Sequence, residues 1–368
     1  MKPKEAVRNL PIYQPGKSLD EVKQELGLTD VIKLASNENP FGCSPKVWEA
    51  LSQERDALAL YPDGDAPELR RALANHLGVT EERLIIGNGS DEVIQIISRT
   101  FLEAGDVVLV AERTFPRYKT QAIIEGATVV EVPLKKGKHD LEEMARKLNE
   151  KTKLVWLCNP NNPTGTIFTH EELVSFLQKV PEETIVVVDE AYYEYVADAT
   201  FPDTLSLMAQ FPQLILLRTF SKIYGLASFR VGYGIAHPEV IHELTRVREP
   251  FNVNRLAQRA AYSALQDQKF VQDCHQKNRA GLDLIYRKLD EWGCPYFHTQ
   301  GNFVLIDTKL PAEEAYQFLL RKGVIVRSGQ ALGFPTYIRV TVGTPHQNQR
   351  FLESFEELLR FSKQVENK

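Results

Sequence analysis

The stretch from Thr219 to Arg230 places a lysine, two hydroxyls and an arginine around a turn of small residues. Lys222 follows an apolar strand candidate, and Arg230 comes eight residues later. A lysine that is desolvated or close to another cation can lose its proton near neutral pH and form a Schiff base with a carbonyl. With Ser221 and Arg230 nearby, this lysine suits an aldehyde that also carries a phosphate. The alternative is a surface turn with solvated side chains, and the rest of the chain has to decide between the two.

The segment GNGSDE opens a helical pattern directly after the strand candidate Leu84–Ile86. Gly89, Ser90 and Asp91 would place backbone N–H groups and a hydroxyl at the helix start, which is a favourable anion site. The glycines complete neither a dinucleotide-binding fingerprint nor a Walker A motif. A plain serine N-cap is the alternative interpretation.

Three further strand candidates are followed by side chains that suit the same site. Phe115 and Tyr118 follow one strand and could stack on a planar ring, although core packing is the commoner fate of an aromatic. In NPNNPTG, two prolines and a glycine fix the turn that carries Asn162. In DEAYYEY, Asp189 ends a buried strand and needs a cationic or donor partner, and Tyr192 lies one short turn away.

These strand-end groups together predict a site for pyridoxal phosphate. Ser90 and Arg230 suit its phosphate, an aromatic suits its ring, and Asp189 suits its pyridine nitrogen. The charged hydrogen bond that Asp189 would accept from the pyridinium N–H is worth about 1.5 to 3 kcal/mol, and a protonated ring draws in the electrons of a carbanion.

The elements that must position these residues are predicted from short apolar runs that alternate with helical patterns between residues 84 and 236. They indicate an α/β large domain with a mostly parallel seven-stranded sheet covered by helices. Only 13 residues separate Leu217 from Val231, too few for a comfortable helical crossover, so we expect one antiparallel strand. Ligands of open α/β sheets bind outside the carboxyl ends of the strands, where the candidate residues lie.

The remaining pattern predicts an N-terminal arm and a second domain. After Pro238 the chain is mostly helical, and shorter strands follow near Phe303–Ile306, Val324–Val326 and Tyr337–Val342. We therefore predict an arm over residues 1–30, a large cofactor-binding domain over 31–250 and a small α+β domain over 251–368.

Composition excludes several function classes. The 368 residues are 43% hydrophobic with a net charge of −5, and the charges are interspersed, which argues against a nucleic-acid partner. No apolar run reaches the roughly 18 residues of a membrane span, so we expect a cytoplasmic protein without membrane contact. The four cysteines form no C-x-x-C pair and the histidines show no ligand spacing, so neither a disulfide framework nor a metal is expected.

Across nearly its whole length the chain resembles the fold-type I pyridoxal-phosphate aminotransferases. The resemblance is carried, in family order, by LASNENPFG, YPDGDAPELR, GNGSDE, NPNNPTG, DEAYYEY, TFSKIYGLASFR and IRVTVGT. The combination of NPNNPTG, DEAY and SK with an arginine eight residues on is highly specific for fold and cofactor. The segments YQPGK and REPFNVN are similar to those of family members that act on histidinol phosphate.

The resemblance implies a role for each cofactor residue. Lys222 would bind the cofactor aldehyde, Asp189 the pyridine nitrogen, and Asn162 with Tyr192 the ring hydroxyl. Lys222, Asp189 and Tyr192 form the implied catalytic set. Phe115 takes the ring-stacking position, and the phosphate would be surrounded by Gly89, Ser90, Asp91 (indirectly), Ser221 and Arg230.

The resemblance also implies partners and substrate contacts. Tyr61 would reach the cofactor phosphate of a partner subunit, which implies an obligate homodimer with shared sites. Arg339 matches the arginine that holds the anionic group of the substrate. Arg327, Asn39 and Tyr13 are weaker candidates for the same pocket.

The implied activity is amino transfer in two half-reactions between glutamate and imidazole-acetol phosphate, giving 2-oxoglutarate and histidinol phosphate in histidine biosynthesis. An aromatic amino-acid aminotransferase is the nearest alternative, because both substrates offer a flat ring and an anionic end. A phosphothreonine decarboxylase with similar motifs is a second alternative. A cofactor-binding regulator without turnover is disfavoured by the complete lysine, aspartate and arginine set.

Overall fold

The computed structural model describes residues 2–8, 10, 12 and 16–366. The helices, in chain order, are α1 (Glu5–Arg8), α2 (Leu19–Leu26), α3 (Pro45–Ser52), α4 (Pro67–Leu77), α5 (Ser90–Phe101), α6 (Arg117–Ile124), α7 (Leu141–Lys147), α8 (His170–Leu177), α9 (Thr204–Leu207), α10 (Pro238–Val247), α11 (Arg255–Leu265), α12 (Gln268–Trp292), α13 (Ala312–Arg321) and α14 (Pro345–Glu366). The strands are β1 (Ile32–Lys33), β2 (Leu84–Gly87), β3 (Val107–Ala111), β4 (Thr128–Val132), β5 (Thr152–Cys158), β6 (Ile185–Asp189), β7 (Leu214–Thr219), β8 (Gly232–Ile235), β9 (Phe303–Asp307), β10 (Val324–Ile325), β11 (Arg327–Ser328) and β12 (Tyr337–Thr341).

Seven strands form one sheet in the order β2-β8-β7-β6-β5-β3-β4. β8 runs antiparallel to both of its neighbours, whereas the other pairs are parallel. The predicted α/β sheet with one antiparallel strand is therefore confirmed. The short connection between β7 and β8 forces the reversal, because it holds only the lysine turn and no crossover helix.

The central strands of this sheet are buried on both faces. Every residue of β3, β6 and β7 is buried, including successive side chains that point to opposite sides. Only the edge strand β4 exposes part of its length. A sheet covered by helices on both faces requires continuous apolar runs in its strands. These runs are why the strands can be predicted from the sequence.

A second core lies around the small three-stranded sheet of order β11-β12-β9, which is antiparallel. Ile32 and Leu34 belong to this core, and β1 pairs in parallel with β10. Conversely, two residues that follow position 250, Ala257 of α11 and Cys274 of α12, pack in the core of the large sheet. Leu282 of α12 packs in the second core, so this helix contributes to both cores, and the predicted domain limits stay a prediction.

Candidate active site

A cavity of about 400 Å³ opens at the carboxyl ends of β5, β6 and β7. It brings together residues that the sequence spreads over some 140 positions, because parallel strands end at the same edge of the sheet. The predicted site residues that line it are Ser90, Asp91, Phe115, Asn162, Asp189, Tyr192, Ser221, Lys222 and Arg230.

Lys222 lies in the turn after β7, between the buried side chains of Phe220 and Ile223. Its ammonium nitrogen is 5.5 Å from the centroid of the Tyr192 ring. Burial in the cavity, followed by the positive charge of Arg339, lowers the pKa of Lys222 to about 8. At pH 7 about one tenth of this lysine is therefore the neutral, nucleophilic amine, a far larger share than for a lysine with its ordinary pKa.

Asp189 ends β6 and is 3% exposed. One carboxylate oxygen accepts the backbone N–H of Ala191 at 3.1 Å, and the other accepts the hydroxyl of Tyr118 at 2.6 Å. Burial raises the pKa of Asp189 to about 6, and these two hydrogen bonds oppose the rise. A carboxylate in this state is a strong acceptor for a cationic N–H group placed in the cavity.

The start of α5 and the side chain of Arg230 form a polar cup at one end of the cavity. Arg230 has a left-handed φ of 56° and donates to Asp91 at 3.3 Å and to Ser221 at 3.4 Å. Gly89 has a φ of 78°, and a Cβ there would lie 2.9 Å from an Arg230 nitrogen. Gly89 thus leaves room for the guanidinium beside a helix N-terminus, where an anion is favoured.

Arg339 reaches the same region from the small sheet. It lies in β12, is 7% exposed, and donates to the side-chain oxygen of Asn162 at 2.5 Å and to the carbonyl of Ala35 at 2.9 Å. Asn162 in turn donates to the hydroxyl of Tyr192 at 3.4 Å. An arginine held in this way can offer its planar fork to a carboxylate or phosphate.

Comparison with known proteins identifies the family. The family model described as "Aminotransferase class I and II" matches residues 29–355. The chain belongs to the class I and II aminotransferases. It is 54% identical to the histidinol-phosphate aminotransferase of Brevibacillus brevis and 52% identical to that of Bacillus subtilis, over 98% of this chain and 99% and 100% of the relatives. The crystal structure of histidinol-phosphate aminotransferase from Sinorhizobium meliloti in complex with pyridoxal-5'-phosphate matches with a TM-score of 0.89, at 29% identity and 97% coverage of both chains.

Among the described residues, five predicted site residues of this aminotransferase do not line the cavity: Gly89 and Arg339, whose places are given above, and Arg327, Asn39 and Tyr61. Arg327 stands directly opposite Arg339 in the small sheet, where β11 pairs with β12. The side chain of Asn39 donates to the carbonyl of Ile223 at 2.6 Å and accepts the backbone N–H of Phe41. Its amide therefore supports the turn that carries Lys222. Tyr61 is 79% exposed and belongs to a separate cavity, and Tyr13 lies outside the described residues. Substrate contacts of Arg327, Asn39 and Tyr13, and a reach of Tyr61 into a partner subunit, stay predictions.

Two functional candidates of the aminotransferase were missed from the sequence. The sequence leaves Tyr118 open between ring stacking and core packing, whereas the structure shows that its hydroxyl is the donor partner that Asp189 needs. Its ring packs on Trp156 at a centroid distance of 4.8 Å. Asn37 donates to the Tyr192 hydroxyl at 2.9 Å. A tyrosine rather than a phenylalanine in a buried helix was the available signal for Tyr118, whereas nothing local distinguished Asn37 from Asn39.

Proposed function

We propose that this aminotransferase binds pyridoxal phosphate and exchanges an amino group between glutamate and imidazole-acetol phosphate, forming histidinol phosphate in histidine biosynthesis. The observation that carries the proposal is the meeting of Lys222, Asp189 and the Arg230 cup in one cavity, with Arg339 at its border. The names of relatives at 52–54% identity over nearly the whole chain support the same substrate.

The cavity fits pyridoxal phosphate by the chemistry of its groups. The N-terminus of α5, Ser221 and Arg230 would hold the phosphate, and Phe115 offers a ring face. Asp189, buried and fixed by two donors, would hold the pyridine nitrogen, and Lys222 would bind the aldehyde. When bound, the cofactor supplies an electron sink that stabilises negative charge at the substrate α-carbon.

Lys222 would act as the proton carrier of both half-reactions. Its amine would remove the proton from the substrate α-carbon and pass that proton to the cofactor, so the same group would serve as base and then as acid. The lowered pKa of Lys222 favours the neutral amine that this step needs. Asp189 would hold the pyridine nitrogen in its protonated form, and Tyr192 and Asn162 would hold the ring hydroxyl.

Arg339 would bind the anionic end of each substrate in turn. Glutamate presents a carboxylate and histidinol phosphate presents a phosphate, and a guanidinium recognises both with paired hydrogen bonds. Arg339 donates to the side-chain oxygen of Asn162, which orients the guanidinium at the border of the cavity. Arg327, opposite on β11, adds a second positive charge.

We further propose a homodimer in which Tyr61 serves the partner's cavity. Its support is a group of large apolar side chains that the single chain leaves exposed, namely Trp48, Leu58, Leu60, Tyr61 and Phe251. Such side chains are typical of interface cores.

Among the described residues, no helix is long and apolar enough to cross a bilayer. A cytoplasmic location stays a prediction.

Product analysis with Lys222→Ala as control tests the activity. Wild-type protein given histidinol phosphate and 2-oxoglutarate should form glutamate, whereas the variant, folded by circular dichroism, should lose at least about 10²-fold to 10⁴-fold of the rate because its proton carrier is gone. Carbon dioxide release from phosphothreonine without amine transfer would point to the decarboxylase. Wild-type turnover in the variant would refute the role of Lys222.

A further inference from the structure

The hydroxyl of Tyr192 accepts two hydrogen bonds from side-chain amides. Asn37 donates at 2.9 Å and Asn162 at 3.4 Å. A phenol oxygen carries two acceptor positions and one proton. Neither amide nitrogen can accept a hydrogen bond, so the phenol proton takes part in neither contact.

The orientation of both amides is fixed by groups with defined hydrogen-bonding roles. The backbone N–H of Asn37 donates to the Thr341 hydroxyl at 3.0 Å, and that hydroxyl donates its own proton to the Asn37 side-chain oxygen at 3.1 Å. The Asn37 NH₂ group therefore faces Tyr192. The oxygen of Asn162 accepts from Arg339, and because a guanidinium can only donate, the Asn162 NH₂ group faces Tyr192 as well.

Tyr192 lines the cavity, so its phenol proton, which neither amide can accept, is left to point into that cavity. Burial raises the pKa of Tyr192 to about 12, so the phenol keeps its proton at neutral pH. The hydroxyl can therefore donate to an oxygen in the cavity. Its two acceptor positions are already used by Asn37 and Asn162.

We propose that Asn37 is a positioning residue that fixes Tyr192 as a hydrogen-bond donor into the cofactor cavity and couples it to the strand that carries Arg339. Asn37 is 1% exposed and is not among the described residues that line the cavity, so it acts through Tyr192. Thr341 lies two residues beyond Arg339 in β12, and Asn302 donates to the Asn37 carbonyl at 3.0 Å. This inference rests on the proposed function in that the acceptor belongs to the cofactor.

The left-handed backbone of Asn37, with a φ of 56°, defines the most informative substitution. Asn37→Asp preserves the shape and tolerates this conformation, but it replaces the donor by an acceptor. The phenol proton of Tyr192 then turns to the new carboxylate and away from the cavity. The variant thus removes the donor function of Tyr192 without removing Tyr192.

The test is a pH titration of the visible absorbance of the holoenzyme, which reports the protonation of the Lys222-bound cofactor. Loss of a hydrogen bond to its charged oxygen should raise the apparent pKa of this chromophore by about one unit in Asn37→Asp, and Tyr192→Phe should shift it in the same direction. In the Tyr192→Phe background, Asn37→Asp should add little, because both changes remove the same donor. Thr341→Val, which deletes the hydroxyl that orients Asn37, should give a smaller upward shift and serves if the aspartate variant does not fold.

A matched control is Asn348→Asp, a buried amide whose side chain, among the described residues, hydrogen-bonds to the backbone of Gly343. It should leave the chromophore pKa unchanged. An Asn37→Asp shift that persists in full without the Tyr192 hydroxyl would show a direct charge effect and overturn the inference, as would the absence of a shift. A wild-type protein that shows no cofactor absorbance would contradict the proposed function instead.

Discussion

At the scale of single residues, Asp189 combines a cost in stability with a use in chemistry. The fold buries the Asp189 carboxylate at the end of β6. Its two hydrogen-bond donors, the Tyr118 hydroxyl and the Ala191 backbone N–H, are both uncharged. Its pKa of about 6 exceeds the ordinary value of 3.8 because burial outweighs both hydrogen bonds. The missing cation is what the proposed pyridinium ring would supply.

This conflict predicts a pH-dependent gain in stability for Asp189→Asn. Between pH 3.8 and about 6 the folded apoprotein binds more protons at Asp189 than the unfolded chain does, so this group lowers the free energy of unfolding as the pH rises. The variant should therefore be more stable than wild type by up to about 3 kcal/mol at pH 7.5 and nearly equal at pH 4. Urea unfolding of both apoproteins at the two pH values measures this, and an equal difference at both would contradict the account.

At the scale of elements, the lysine turn depends on the loop that follows β1. Asn39 of that loop donates to the carbonyl of Ile223, and the Gly42 carbonyl packs against Gly225 so closely that a Cβ on Gly225 would lie 1.9 Å away. The loop therefore fixes the position of Lys222 from a segment about 180 residues earlier.

Gly225→Ala should consequently disturb catalysis as well as stability. The added Cβ must displace the turn, and a misplacement of about 1 Å can cost on the order of 10²-fold in rate. Gly27→Ala is the matched control: its φ of 65° is close to the 71° of Gly225, but nothing lies within 4 Å of the new Cβ. The control should lose about 1 kcal/mol of stability and no kcat/KM. Equal kcat/KM in both variants would argue against this packing.

The elements differ in how far the sequence could predict them. The seven strands of the large sheet were predictable because burial on both faces demands apolar runs, and the β7–β8 reversal followed from a connection too short for a helix. β1 was not predictable, since its two residues are stabilised by pairing with β10 nearly 300 positions away. For the same reason the sequence could not tell that Asn37 reaches Tyr192 while Asn39 turns toward Ile223.

At the scale of the whole molecule, the proposed homodimer makes each site depend on two chains. Tyr61 stacks on Phe251 at a centroid distance of 4.9 Å and is largely solvent-exposed in the single chain. Its surroundings include Arg255 and Arg259, which face a cavity separate from that of Lys222. A phenol placed in this way can serve a cofactor only across an interface.

Subunit complementation tests this arrangement. Lys222→Ala and Tyr61→Ala chains, each with little activity at limiting cofactor, should regain about one quarter of wild-type activity after mixing and subunit exchange, because half of the dimers are hybrids and each hybrid has one intact site. If Tyr61 served the site of its own chain, each site of a hybrid dimer would lack either Lys222 or Tyr61, and mixing would restore no activity. No recovery despite proven exchange would exclude the shared site.

The most direct test of the central claim is a comparison of kcat/KM for histidinol phosphate and phenylalanine, each with 2-oxoglutarate as amino acceptor. In the proposed site, Arg339 and Arg327, which stand opposite each other on β12 and β11, would offer two positive charges to the dianionic phosphate of histidinol phosphate, and phenylalanine provides no group to match them. We predict a kcat/KM at least about 10²-fold higher for histidinol phosphate. A higher value for phenylalanine would contradict the assignment and identify an aromatic amino-acid aminotransferase.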